Sequence, residues 1–360
     1  MVRNAIKTLV RDHPVVAFLV ATFAWSWFFW LSAILFRGQT LLVTTIVMIG
    51  GFGPALAAGL VLGVRSGRRS DRGPRRVLSM AISSALVFGV MALRYAIGNV
   101  PGYETLASNM TLSVPIVVAA LVASLVGGWA ISGAISRNRE MRNRSESKRL
   151  WRLPTRWTVL GIAFYPALIL VAWGMASLLG AQVEYPGLWG RPVLEVLPLY
   201  ALTFVLILLV QGGNEEPGWR GFLQPESQKR LSPLVAALFV AFVWSLWHLP
   251  LYLNGFYAEE LVGGMIGGGV FRVLLSIFLA WFYNRSGGNL LMTAILHASF
   301  NVMPNFLPTS DIGLLVLWLI VVVGVVFTDK MWRRAPSAVP VTSLGGRMDS
   351  DTPAASPVGA

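Results

Sequence analysis

The sequence contains no cysteine, which excludes a disulfide framework, thiolate metal sites and a cysteine nucleophile. Charge is scarce as well. Asp, Glu, Lys and Arg make up 12% of the residues, against about a quarter in an average soluble domain. Histidine occurs three times. The HExxH spacing of zincins and the G-x-S-x-G of serine hydrolases are both absent, and no internal repeat is visible. What fills the chain is apolar: 55% of its 360 residues are hydrophobic and its mean hydropathy is +0.66. That composition excludes a soluble globular enzyme and a disordered or collagen-like chain. It leaves room for about ten membrane spans of about 20 residues each.

Long uncharged apolar runs predict an all-α, polytopic transmembrane helix bundle. Its ten spans lie at 14–36, 41–64, 77–99, 111–135, 157–180, 194–213, 233–253, 266–283, 289–308 and 311–328. The first run is not a cleaved signal, because Trp25, Trp27, Phe28, Phe29 and Trp30 stand where small residues should mark cleavage. With the amino terminus placed inside, all but four of the 29 Lys and Arg residues fall in inner segments. The exceptions are Arg37 and Arg191 outside, and Arg94 and Arg272 within spans. Outer loops carry Glu104, Glu184, Glu195, Glu259, Glu260 and Asp311. This pattern predicts a multi-pass protein with both termini cytoplasmic; composition points to a bacterial plasma membrane. The net charge of +13 is then topology, its partner a bilayer with anionic headgroups, and nucleic-acid binding loses its support.

The same charges divide the chain. Residues 1–156 are expected to form amino-terminal helices and a basic linker, and 157–330 a second helical group. Residues 331–360 are expected to form a disordered cytoplasmic tail. The glycines at 263, 264, 267, 268 and 269 read as close helix packing or a flexible outer loop.

Ionisable groups within spans mark where chemistry belongs, since each costs roughly 2.5–3.5 kcal/mol to insert. Three groups stand out: Asn214-Glu215-Glu216-Pro217-Gly218-Trp219-Arg220, Trp244-Ser245-Leu246-Trp247-His248 and His297-Ala298-Ser299-Phe300-Asn301. Glu216 and Arg220 are four apart and can pair on one helical face, as His297 and Asn301 share one. Glu215, rotated about 100° from Glu216, is left as an available acid or base. Pro217 predicts a kink or a new helix start. If Glu215 and His248 face each other, the chain must reverse midway, at the turn signal Leu231-Ser232-Pro233. The site is then deep, whereas the span map puts Glu215 at the membrane edge. The bland alternative is that 214–232 is only a polar loop.

A Glu, two His and an Asn in one intramembrane pocket suit hydrolysis by activated water. Glu215 would take the proton and His248 orient the water; His297 and Asn301 would donate to the oxyanion. A zinc or other divalent ion held by the histidines and a Glu stays open. These three motifs resemble the pattern of the CPBP intramembrane proteases, which include type II CAAX prenyl endopeptidases and bacteriocin-processing or self-immunity proteins. The family pattern is EExxxR, then an aromatic residue four positions before a His, then HxxxN or a close variant. The resemblance covers about 194–310. It implies an endopeptidase acting on a membrane-associated protein or peptide, with Glu215 and His248 activating water. It also implies His297 and Asn301 at the oxyanion, and Glu216 and Arg220 in support, with no cofactor fixed. Two other classes stay open: a non-catalytic membrane scaffold or self-immunity protein, and a proton-coupled transporter.

Overall fold

The computed structural model describes residues 8–66, 73–98, 113–142 and 155–334. The described residues are helical apart from connections and one isolated antiparallel bridge, Glu184 to Thr309. The amino-terminal helices are α1 (Pro14–Ser32), α2 (Thr40–Gly51), α3 (Gly53–Ser66), α4 (Pro74–Gly98) and α5 (Val114–Arg142). Then follow α6 (Thr155–Leu178), α7 (Val193–Val210) and, after irregular turns, the short α8 (Gln224–Gln228). The remainder are α9 (Pro233–Trp247), α10 (Leu249–Leu253), α11 (Leu261–Arg285), α12 (Leu290–Val302) and α13 (Asp311–Thr328). The 143–154 part of the linker and the tail beyond 334 lie outside the described residues.

Among the described residues, nine helical segments are long and apolar enough to cross a membrane. Large apolar side chains such as Phe28, Leu178 and Ile312 point outward, where lipid rather than water satisfies them. The chain is a polytopic membrane protein. The segment expected to span at 289–308 falls short: α12 has 13 residues, about 20 Å of rise against about 30 Å of hydrocarbon. Asn301, Pro304 and Asn305 end its apolar run, and Met303–Asn305 form a 3-10 turn. Yet this stretch does return across the bundle. Arg285, closing α11, pairs with Asp329, just past α13, so those two helices run parallel. The chain between them must come back.

Other contacts show which loops share an end. Arg65 in the last turn of α3 pairs with Glu226 at 3.2 Å, and Leu234 N donates to Met331 O at 3.0 Å. Arg65, Glu226, Arg285, Asp329 and Met331 thus gather at one end of the bundle. Glu184 and Thr309 meet at the other.

Two expected spans are broken. The 41–64 run divides at Phe52 into α2 and α3, which leaves carbonyls of the last α2 turns without helical donors. Trp25 Nε1 donates to Ile49 O at 2.9 Å, Ser26 Oγ to Gly50 O at 2.7 Å and Asn214 Nδ2 to Gly51 O at 3.1 Å. The 233–253 run divides at His248. Ser232 begins α9 by accepting from Val235 N at 3.3 Å, with Pro233 in the first turn, and Pro250 supplies no N–H to continue α9.

Candidate active site

The site is built where three irregular pieces of backbone meet. The first follows α7. After Gln211 the chain makes a 3-10 turn at Gly213–Glu215, one α turn at Glu216–Gly218 and a π turn at Trp219–Leu223. Pro217 at the start of the α turn accounts for the break, and π turns often mark functional sites because they re-aim side chains. Asn214 fixes the turn from inside: its Oδ1 accepts from Gly212 N at 2.8 Å. Gly212 must lack a side chain, since a Cβ there would lie 2.7 Å from Asn301 Nδ2 and 3.5 Å from His297 Nε2.

Glu215 is 7% exposed. Its Oε2 accepts from two indoles, Trp219 Nε1 at 3.0 Å and Trp244 Nε1 at 2.8 Å. Both bonds fall on one oxygen, which leaves Oε1 for the cavity. Two donors from different helices hold the plane of the carboxylate without neutralising its charge.

Glu216 is fully buried and turned the other way. Its Oε1 accepts from Arg220 Nη1 at 2.9 Å and from His297 Nδ1 at 2.7 Å. The guanidinium of Arg220 also lies 5.1 Å from the centre of the Trp244 ring, a cation–π contact. The i,i+4 pairing read from the sequence is present, and it extends to a third residue on another helix.

His248 follows from the α9 break. Its backbone N bonds to Ser245 O at 3.2 Å, in place of the α-helical Trp244 O, and its own Nδ1 takes that freed carbonyl at 2.6 Å. A carbonyl only accepts, so Nδ1 carries hydrogen and Nε2 of the neutral ring is an acceptor. His297 is oriented by the same logic, with Nδ1 committed to Glu216. Asn301, one turn further along α12, spends one amide hydrogen on Gln211 O at 3.0 Å. Its second amide hydrogen remains.

These side chains surround a cavity of about 150 Å³ lined by Glu215, Trp244, His248, His297, Asn301 and Arg272, among others. All six residues singled out in the sequence therefore fall in one cluster: four line the cavity, while Glu216 and Arg220 lie behind it. The reversal at Ser232 is where the pairing of Glu215 with His248 requires it, and both residues sit far from that turn. Among the described residues, no group of three or more His, Asp or Glu side chains is arranged to hold a metal ion.

Sequence reasoning missed part of the wall. Trp30 on α1 and Gly51 ending α2 line the cavity, although they precede the basic linker by about a hundred residues. Trp27 Nε1 donates to Trp247 O at 3.1 Å and Asn254 Nδ2 to Trp30 O at 3.0 Å. The aromatic density of α1 was the available signal. Arg272, read from the sequence only as a charge within a span, lines the cavity. Arg94 is buried on α4 and does not.

Known proteins match the same region. Residues 197–303 match the family described as type II CAAX prenyl endopeptidase Rce1-like. The chain is similar to the CAAX prenyl protease 2 of Methanococcus maripaludis, with 28% identity over 137 residues, which is 36% of this chain and 51% of that protein. It thus spans about half the length of the curated relative it matches. The CAAX endopeptidase match begins within α7 and ends just past α12, and so holds every residue from Glu215 to Asn301 that forms this cluster.

Proposed function

We propose that this protein is an intramembrane endopeptidase that hydrolyses a peptide bond of a membrane-associated protein or peptide. The observation that carries the reading is Glu215: a buried carboxylate pinned through Oε2 by two indoles, with Oε1 turned to a cavity shared with the acceptor Nε2 of His248. A water between Oε1 and Nε2 loses a proton to Glu215 as its oxygen attacks the scissile carbonyl. The negative charge that develops on the carbonyl oxygen is met by hydrogens from Asn301 Nδ2 and the His297 ring. Glu215 returns the proton to the leaving amine, and the C–N bond breaks. Glu216, held by Arg220, keeps the His297 ring in place.

The Rce1-like match and the name of the archaeal relative support peptidase chemistry. The apolar walls contributed by Leu251, Phe256, Phe271 and Leu275 suit a lipid-facing or lipid-modified substrate. On the charge distribution, the end of the bundle carrying Arg65, Glu226 and Arg285 is cytoplasmic, both termini lie there, and anionic headgroups of the plasma membrane face it.

The test compares purified wild type with Glu215→Gln in detergent against a fluorogenic peptide library, with and without a chelator. Cleavage by wild type alone, indifferent to chelator, supports the glutamate-water mechanism. Chelator-sensitive cleavage restored by zinc moves His248 and His297 into ligand roles. Cleavage by both proteins at the same rate overturns it.

A further inference from the structure

Two cavities meet at Arg272. The one holding Glu215 and His248 shares Tyr257, Gly268 and Arg272 with an open groove of about 490 Å³, a size usual for ligand sites, which run from about 300 to 1,000 Å³. Glycines of α11 line this groove, and two of them let Tyr252 and Arg272 pack close against the helix. Gly264, Gly268 and Arg272 are spaced by four and share one helix face. A Cβ on Gly268 would lie 2.7 Å from Arg272 Nη1 and 2.9 Å from the Tyr252 hydroxyl; one on Gly264 would lie 2.4 Å from the Tyr252 ring. The glycine run is close packing at Gly264 and Gly268, where Tyr252 and Arg272 lie against the helix, and it lines the groove with Arg272 at its inner end.

Arg272 is 7% exposed. Nη2 makes a long contact to the Tyr252 hydroxyl, 3.5 Å, and the guanidinium stands 6.0 Å from the Tyr257 ring centre. Nη1 has no hydrogen-bond partner, and among the described residues no carboxylate forms an ion pair with Arg272. Burial pushes the Tyr257 phenol up to about 12, so that neighbour stays neutral at working pH and does not offset the charge. A buried guanidinium that lines a cavity and has no carboxylate partner is costly unless an anion completes it. The groove lining also includes the exposed Glu259 and Glu260, with Glu260 capping α11 at Gly263 N.

We propose that Arg272 binds a carboxylate of the peptide substrate, as a specificity-determining residue beside the hydrolytic site. A carboxylate matches the planar fork of the guanidinium with two parallel hydrogen bonds. The acidic residues along the groove favour a single carboxylate over a multiply charged anion. The carboxylate belongs either to the substrate's own C-terminus or to an Asp or Glu side chain. Calling the ligand a substrate rests on the endopeptidase reading; the anion site itself does not.

The test is binding to full-length Glu215→Gln protein in an uncharged detergent, read by tryptophan fluorescence. Three short apolar peptides are compared: one with a free C-terminus, the same peptide amidated, and an amidated peptide ending in Glu. The expected result is at least tenfold tighter binding of one carboxylate-bearing peptide over the plain amide, and which one wins identifies the source. Adding Arg272→Gln should leave all three binding like the plain amide. If that variant does not fold, Arg272→Lys keeps the charge without the fork and should cut the preference several-fold. Equal binding of all three peptides, or a preference that survives these changes, overturns the proposal. Wild-type cleavage is scored separately. A carboxylate preference without cleavage sinks the endopeptidase reading alone, and cleavage without the preference sinks the role of Arg272 alone.

Discussion

Trp244 donates its indole hydrogen to Glu215 across 2.8 Å from a helix that begins only after the chain has reversed at Ser232. The orientation of Glu215 therefore depends on two segments that are distant in sequence, and its second indole bond from Trp219 comes from its own.

Removing the carboxylate should remove the activity and little else. Glu215→Gln is expected to lower peptide cleavage at least about a thousandfold, as loss of a group central to water activation does. Its melting temperature in detergent should stay within a few degrees of wild type. Residual turnover above a tenth of the wild-type rate would remove Glu215 from the chemistry.

The indoles position and do not react. Trp244→Phe keeps the ring and deletes one hydrogen bond to Oε2, so kcat should fall roughly ten- to a hundredfold with little change in KM. Trp219→Phe should behave alike. The double variant should lose less than the product of the two, because both bonds restrain the same oxygen. Steady-state kinetics on the four proteins checks this.

The Glu216–Arg220 pair is fully buried, so breaking it strands a charge. Arg220→Ala should destabilise the protein by about 3–5 kcal/mol, read as a lowered denaturation midpoint in detergent. Glu216→Leu with Arg220→Met should recover most of that stability. It should not recover activity, because His297 Nδ1 then has no carboxylate to orient it.

Asp329 supplies the pH dependence of the α11–α13 contact. Hydrogen bonds from Arg285 hold its carboxyl below the usual range. A lowered folded value means that stability is present above the unfolded value, about 3.9, and is lost as pH falls through the folded one. Arg285 is more than half exposed, so the contribution is small, about 0.5 kcal/mol. Asp329→Asn should lower the melting temperature slightly at pH 7 and by less near pH 3, below the unfolded value. An equal drop at both pH values would show a packing effect instead.

Much of this arrangement was legible in the chain. Apolar runs gave the helices, because lipid demands long uninterrupted stretches, and the i,i+4 spacings of Glu216 with Arg220 and His297 with Asn301 gave two faces of the site. The break at Phe52 was not legible: it depends on Trp25, Ser26 and Asn214 finding carbonyls on another helix, and no local pattern records that. The break at His248 had a local cause in Pro250, which the reading by long apolar runs passed over. Arg272 was visible only as an anomaly. Its meaning needed the two cavities that meet at its side chain and the packing of Tyr252 against Gly264 and Gly268, which are properties of the assembled fold.

The short α12 carries a consequence for how the protein is made. A 13-residue helix bearing His297, Ser299 and Asn301 is poorly suited to partition into lipid by itself. It settles only against α6, α7 and α11, which already enclose a polar interior. Two of the groups assigned to hydrolysis thus arrive last, carried into place by the surrounding helices. On the endopeptidase reading, a newly inserted chain in the act of threading its spans is unarmed, and it becomes able to cut only when its assembly is complete.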